Sequence, residues 1–212
     1  MAPRGKFITL EGGEGAGKST QVALLAAVLR EAGLEVVETR EPGGAPGAEE
    51  IRALLVQGAP ERWDPLTEAL LHFAARREHL AKLIEPSLAS GSWVISDRFA
   101  DSTLAYQGIA QGLGQARFKA LYELVVGDNG PDLTLILDLP VSDGLARAEA
   151  RAGAENRYES MGQAFHERLR QGFLEIAAAE PARCIVIDAT GSIEAVQAAI
   201  RGAVAERLGV AL

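Results

Sequence analysis

The sequence predicts an α/β domain built on a parallel sheet, and three observations carry that expectation. Short apolar segments alternate with helical patterns along the chain, as strands joined by helical crossovers do. These segments are bounded by turn residues, as expected when helices cover both faces of the sheet. A glycine-rich loop lies between the first apolar segment and the first helix.

Taken in order, Lys6–Glu11 (KFITLE) reads as a strand and Gly17–Ala32 as a helix, with Leu24, Leu25, Val28 and Leu29 on one face. Gly33 ends that helix, and Leu34–Thr39 (LEVVET) forms a second strand. Turn formers fill Glu41–Gly47, and a helix runs from about Ala48 to Val56. A long helical pattern covers Leu66–Ala89, punctuated by Pro86. A strand at Trp93–Ser96 follows, then helical segments near Ser102–Gly108 and Ala116–Val126, then a strand at Leu133–Leu139. The remainder reads as helix (Ser142–Ala152), a break containing Gly and Arg, helix (Gly162–Ala179), strand (Cys184–Asp188) and helix (Ile193–Leu208). No repeat or low-complexity linker interrupts the pattern, so residues 1–212 are expected to form one domain.

Composition narrows the function. Hydrophobic residues at 48% and charged residues at 24% suit a globular chain rather than a disordered one. Apolar runs fall far short of a membrane span, and the N-terminus lacks a secretory core, so a soluble cytoplasmic protein is expected. Cys184 is the single cysteine, which excludes an internal disulfide and a cysteine-rich zinc site. Net charge is −8, the wrong balance for a general nucleic-acid binder. An anionic ligand must therefore be held by a local cluster of cations.

Gly12-Gly13-Glu14-Gly15-Ala16-Gly17-Lys18-Ser19 matches G-x-x-x-x-G-K-[ST] in full, between a predicted strand and a predicted helix. Glycines let consecutive N–H groups turn onto a phosphate, and the helix N-terminus adds partial positive charge. Lys18 is expected to bridge the β- and γ-phosphates of a nucleoside triphosphate, and the Ser19 hydroxyl to hold Mg²⁺. A guanine-reading N-K-x-D is missing, and the one D-x-x-G match (Asp188–Gly191) follows the last strand, which disfavours a GTPase. Size and acidity disfavour a nucleic-acid motor, leaving a small phosphotransferase as the best reading.

With further blocks added, the chain resembles the thymidylate kinase family, P-loop nucleoside monophosphate kinases that move the ATP γ-phosphate onto dTMP. The blocks are FITLEGGEGAGKST at 7–20, TREPGG at 39–44, FAARREH at 73–79, DRF at 97–99, STLAYQG at 102–108 and the arginine-bearing stretch 147–159. The resemblance implies a five-stranded parallel sheet, a mobile lid over about residues 147–160, Mg²⁺ and a homodimer. A kinase for another monophosphate and a non-catalytic ATP-binding module are the rival readings.

What the resemblance implies residue by residue sits beside what the residues suggest alone. Gly12 to Ser19, with Thr20, would bind the ATP phosphates. Asp97 ends a strand, where α/β crevices lie, and would bind Mg²⁺ directly or through water, while Arg98 would clamp the acceptor phosphate. Phe73 and Arg77 share a helical face; alone they read as a core phenylalanine and a solvated arginine, but the resemblance assigns them to the thymine base. His72, Arg76 and His79 gain no such support and read as packing or surface residues. Thr103 would meet the base edge, Tyr106 would exclude a ribose 2′-hydroxyl, and Gln107 belongs to the same nucleoside segment. Glu14 would contact the acceptor sugar, and Glu41, Arg40 and Arg52 would support the nucleotide site or start a helix. Gly15 stands where some members carry an arginine, which shifts catalytic weight to Arg151 and then Arg147, with Arg157 less certain because Asn156 precedes it.

Overall fold

The computed structural model describes residues 3–150 and 157–212. Five strands, β1 (Phe7–Glu11), β2 (Val36–Arg40), β3 (Trp93–Asp97), β4 (Leu133–Asp138) and β5 (Cys184–Asp188), form one parallel sheet in the order β2-β3-β1-β4-β5. The helices are α1 (Lys18–Glu31), α2 (Pro46–Val56), α3 (Pro65–His79), α4 (Glu85–Ala89), α5 (Ala100–Thr103), α6 (Gln115–Val125), α7 (Val141–Glu149), α8 (Gln163–Ala179) and α9 (Ile193–Leu208). The long pattern predicted over Leu66–Ala89 is α3 and α4 joined through π-helical Leu80–Ile84, and a second π-helical stretch, Leu104–Ala110, continues α5.

Alternation along β1 sorts the core. Ile8 and Leu10 face one layer with α1 and α9, while Phe7 faces the other with Phe73, Leu80, Phe99 and Phe118. A third cluster packs α8 against the Leu104–Ala110 segment. The strand predicted at Leu34–Thr39 begins later, because Gly33 (φ +84°) and Leu34 donate back to Arg30 and Leu29 and close α1. Polar side chains set the helix entries elsewhere: Asp64 accepts from Leu66 N–H and Thr67 N–H at the start of α3, and Ser192 from Ala195 N–H at the start of α9.

The chain passes from β1 out to β2, returns to β3, and only then crosses to β4 on the other side of β1. The carboxyl ends of β1 and β3 therefore meet where the winding reverses, the place an α/β sheet offers for a ligand. Among the described residues, no helix is long and apolar enough to cross a membrane.

Candidate active site

The phosphate loop is built for an anion. Helix α1 is capped by Gly17, whose φ of +87° a side chain would strain, with no side-chain cap and no acidic residue in its first turn. Its first N–H groups are thus left for a ligand. Gly15 is held differently: a Cβ there would lie 2.0 Å from the Gly144 carbonyl oxygen. Any side chain at position 15, an arginine included, would need α7 to move. Lys18 is buried and donates to the carbonyls of Gly12 (3.2 Å) and Gly13 (2.8 Å). Burial, and then the charge of Arg98, pushes its ammonium down to about 8.

The expected metal pair is brought together, the Ser19 hydroxyl donating to Asp97 Oδ2 at 2.5 Å. Among the described residues no group of three or more His, Cys, Asp or Glu could enclose a metal. Two hard oxygen donors beside a phosphate loop suit Mg²⁺, which keeps water and substrate phosphates as its other ligands.

A cavity of about 380 Å³ opens from the loop between β3, α3 and the Leu104–Ala110 segment. Arg98 stands at its centre, donating to the Gly12 carbonyl (2.9 Å), Ser102 Oγ (3.1 Å) and Glu14 Oε1 (3.0 Å), with its guanidinium over the Tyr106 ring. Tyr106 also donates to Glu14 Oε1 at 2.6 Å. Burial works to raise the Glu14 carboxyl, but Arg98, Lys18 and the Tyr106 hydroxyl outweigh it and hold it at about 2. The acid inside the phosphate cradle is therefore neutralised locally.

On the far wall the α3 residues are not those expected for the base. Phe73 is 2% exposed and packs in the core beside Phe118, and Arg77 pairs with Glu85 on the surface. His72 and Arg76, one position earlier, line the cavity instead. The assignment of Phe73 and Arg77 to the base is corrected accordingly: each residue turns a helix by about 100°, and the apolar demand of the core claims Phe73. Arg76, expected at the surface or in packing, is 1% exposed. It donates to Glu41 Oε2 (2.8 Å) and Thr103 Oγ1 (3.1 Å), stacks over Phe73 and Phe99, and leaves Nη1 without a protein partner. His72 meets the Tyr158 hydroxyl at 3.0 Å, and burial, then Arg76 and other arginines, pushes its imidazole down to about 3, so it stays neutral. His79 is a packing residue, bonded to Glu41 and Thr39.

The nucleoside segment does reach the cavity: Thr103, Tyr106 and Gln107 all line it, as do Glu41, Arg40 and Arg52. Gln107 Nε2 donates to Glu68 (2.6 Å), which turns its carbonyl Oε1 away, buried and without a protein partner. Arg147 is exposed on α7, and Ala148 rather than Arg147 touches the cavity. Arg151, Gly153 and Asn156 lie outside the described residues. Arg157 is a buried anchor rather than a cavity residue, donating to Glu68, Ala59 and Leu55. It fastens the following Tyr158, which the sequence did not single out, against the cavity wall.

Comparison with known proteins points to one family. The sequence model of the family described as "Thymidylate kinase" matches residues 10–200. A thymidylate kinase of Caulobacter vibrioides is 59% identical over 98% of this chain and 99% of its own length. One of Pseudomonas fluorescens is 56% identical over 92% and 93%. The crystal structure of thymidylate kinase from Ehrlichia chaffeensis superimposes with a TM-score of 0.77 at 37% identity, covering 95% of this chain and all of that one. With the phosphate loop, the D-R turn and the cavity between them in place, the chain belongs to the thymidylate kinase family.

Proposed function

We propose that the chain transfers the γ-phosphoryl group of ATP to the 5′-phosphate of dTMP, giving dTDP and ADP. The observation that carries the choice of acceptor is the inner cavity wall. Arg76 Nη1 is a buried donor and Gln107 Oε1 a buried acceptor, each without a protein partner. Leaving such groups unpaired costs about 1–3 kcal/mol each, which a ligand with the opposite pattern would recover. The imide edge of thymine has that pattern, a carbonyl acceptor beside an N–H donor, whereas cytosine presents an amino donor instead.

The acceptor phosphate is an anion near neutral pH, with a second pKa of about 6, so no general base is required. The chemical difficulty is repulsion between two phosphate groups in line. Lys18 and the N-terminus of α1 would hold the donor phosphates, and Arg98 the acceptor phosphate. Ser19 and Asp97 would hold Mg²⁺, which neutralises charge on the donor phosphates. Glu14 would meet the acceptor sugar, and Tyr106, fixed by its bond to Glu14, would stand against a 2′-hydroxyl. His72 and Tyr158 flank the same space.

In this reading residues 1–212 act as one cytoplasmic domain, with residues from about 147 to 160 as the lid that excludes water and supplies Arg151 and Arg147 to the transfer. A homodimer fits the exposed Leu54 of α2, Leu66 and Leu70 of α3, and Leu124 of α6, which a second copy would cover. ADP release measured with dTMP, dUMP, dCMP, dGMP and AMP in MgATP tests the assignment. The expected order is dTMP first, dUMP lower by about 10–200-fold because one methyl group separates them, and the others negligible. Turnover led by another monophosphate would replace the acceptor, and no ADP with any of them would leave only a binding module. In the same assay Arg151→Ala should lower kcat far more than it raises the KM for dTMP; an unchanged kcat would remove Arg151 from the chemistry.

A further inference from the structure

We infer that Glu11, the last residue of β1, is a positioning residue that holds Arg98 in its working conformation; the inference rests on the phosphoryl-transfer reading above. Arg98 is the one non-glycine residue with positive φ among the described residues, at +70°. A long side chain adopts that region at a cost, and such residues persist only where their surroundings over-determine them. The structure shows what does so here. Arg98 N–H donates to the Leu10 carbonyl at 2.9 Å, and its carbonyl accepts from Ser96 Oγ at 2.7 Å. On the far side of the turn, Phe99 N–H donates to Glu11 Oε1 at 2.7 Å.

The second oxygen of Glu11 reaches the side chain. Ser102 Oγ donates to Glu11 Oε2 at 2.5 Å and accepts from Arg98 Nη1 at 3.1 Å. One fully buried carboxyl thus holds the peptide after Arg98 directly and the guanidinium through a single hydroxyl. Glu11 also directly precedes Gly12, whose carbonyl accepts from both Arg98 and Lys18. The donor-side loop and the acceptor-side arginine are therefore referenced to the same residue, which fixes the separation that in-line transfer needs. Glu11 does not line the cavity, so it acts through Arg98 and not on substrate.

The test compares Glu11→Ala, Glu11→Gln and Ser102→Ala by steady-state dTDP formation, by MgATP affinity and by crystal structure. Glutamine keeps the first contact, its carbonyl accepting from Phe99 N–H, and reverses the second, its amino group donating to Ser102 Oγ, which still accepts from Arg98. Glu11→Gln should therefore stay within about fivefold of the unsubstituted chain, while Glu11→Ala loses on the order of 100-fold in kcat/KM for dTMP. Ser102→Ala should lose on the order of tenfold. MgATP affinity should change less than threefold in every folded variant, and Arg98 should leave its left-handed conformation in Glu11→Ala. A Glu11→Gln as poor as Glu11→Ala would assign the effect to charge and overturn the inference, as would full activity in both alanine variants. If Glu11→Ala does not fold, a loss of about tenfold in Ser102→Ala with Glu11→Gln within about fivefold supports the inference, and a loss on the order of 100-fold in Glu11→Gln or full activity in Ser102→Ala overturns it. An unsubstituted chain that makes no dTDP would refute the acceptor assignment, not this inference; the position of Arg98 in the variant crystals would then decide it.

Discussion

Lys18 is poised to change its protonation when a triphosphate arrives. Its ammonium is folded onto two carbonyls, and burial and then Arg98 push it down to about 8, well below an ordinary lysine. Donor phosphates around it would favour the charged form, raising its pKa again. Binding of MgATP at pH 8 should therefore draw protons from solvent, and fewer at pH 7, where more of the group is already charged. Calorimetric titration in buffers of different ionisation enthalpy reads that uptake directly. Lys18→Met should reduce it, and the absence of uptake in the unsubstituted chain would contradict the picture of a desolvated lysine. The place of the loop between β1 and α1 was legible in the sequence, because its motif lies in eight consecutive residues.

At the scale of elements, helix α3 shows where reading from sequence stops. Two pairs, Phe73 with Arg77 and His72 with Arg76, have the same four-residue spacing, and spacing alone cannot choose between them. The residue-by-residue expectation, a core phenylalanine and a solvated arginine, matches where Phe73 and Arg77 are found; the family resemblance put them in the base pocket, one position off. What selects His72 and Arg76 is long-range: Glu41 from the loop after β2, Thr103 from α5, and Tyr158 from the segment before α8. Kinetics of Arg76→Lys and Arg77→Ala test the register. The lysine loses the forked contact to Glu41 and Thr103 and should raise the KM for dTMP by more than tenfold. Arg77→Ala breaks an exposed pair with Glu85, worth at most about 1 kcal/mol, and should leave KM and kcat near their starting values. The reverse result would return the base to the Phe73 side.

Over the whole molecule, a chain of net charge −8 has to attract two anions. It does so by concentration: among the described residues, five cations, Lys18, Arg40, Arg52, Arg76 and Arg98, line the cavity against the four carboxylates of Glu14, Glu41, Asp97 and Glu159. The five-stranded sheet that places them follows from local periodicity, and all five strands lie within two residues of where the pattern puts them. The cavity wall was less legible, because Glu68 in α3 gathers Gln107, Gln111, Arg157 and Tyr158 from segments about 40 to 90 residues away. No periodicity announces a hub of that kind. A crystal structure with dTMP and a non-hydrolysable ATP analogue tests the arrangement most directly. The acceptor phosphate should lie on Arg98, the thymine edge on Arg76 and Gln107, and the triphosphate on the loop with Lys18 turned outward from Gly12 and Gly13. Thymine bound away from the wall formed by Arg76, or dTMP bound outside this cavity, would contradict it.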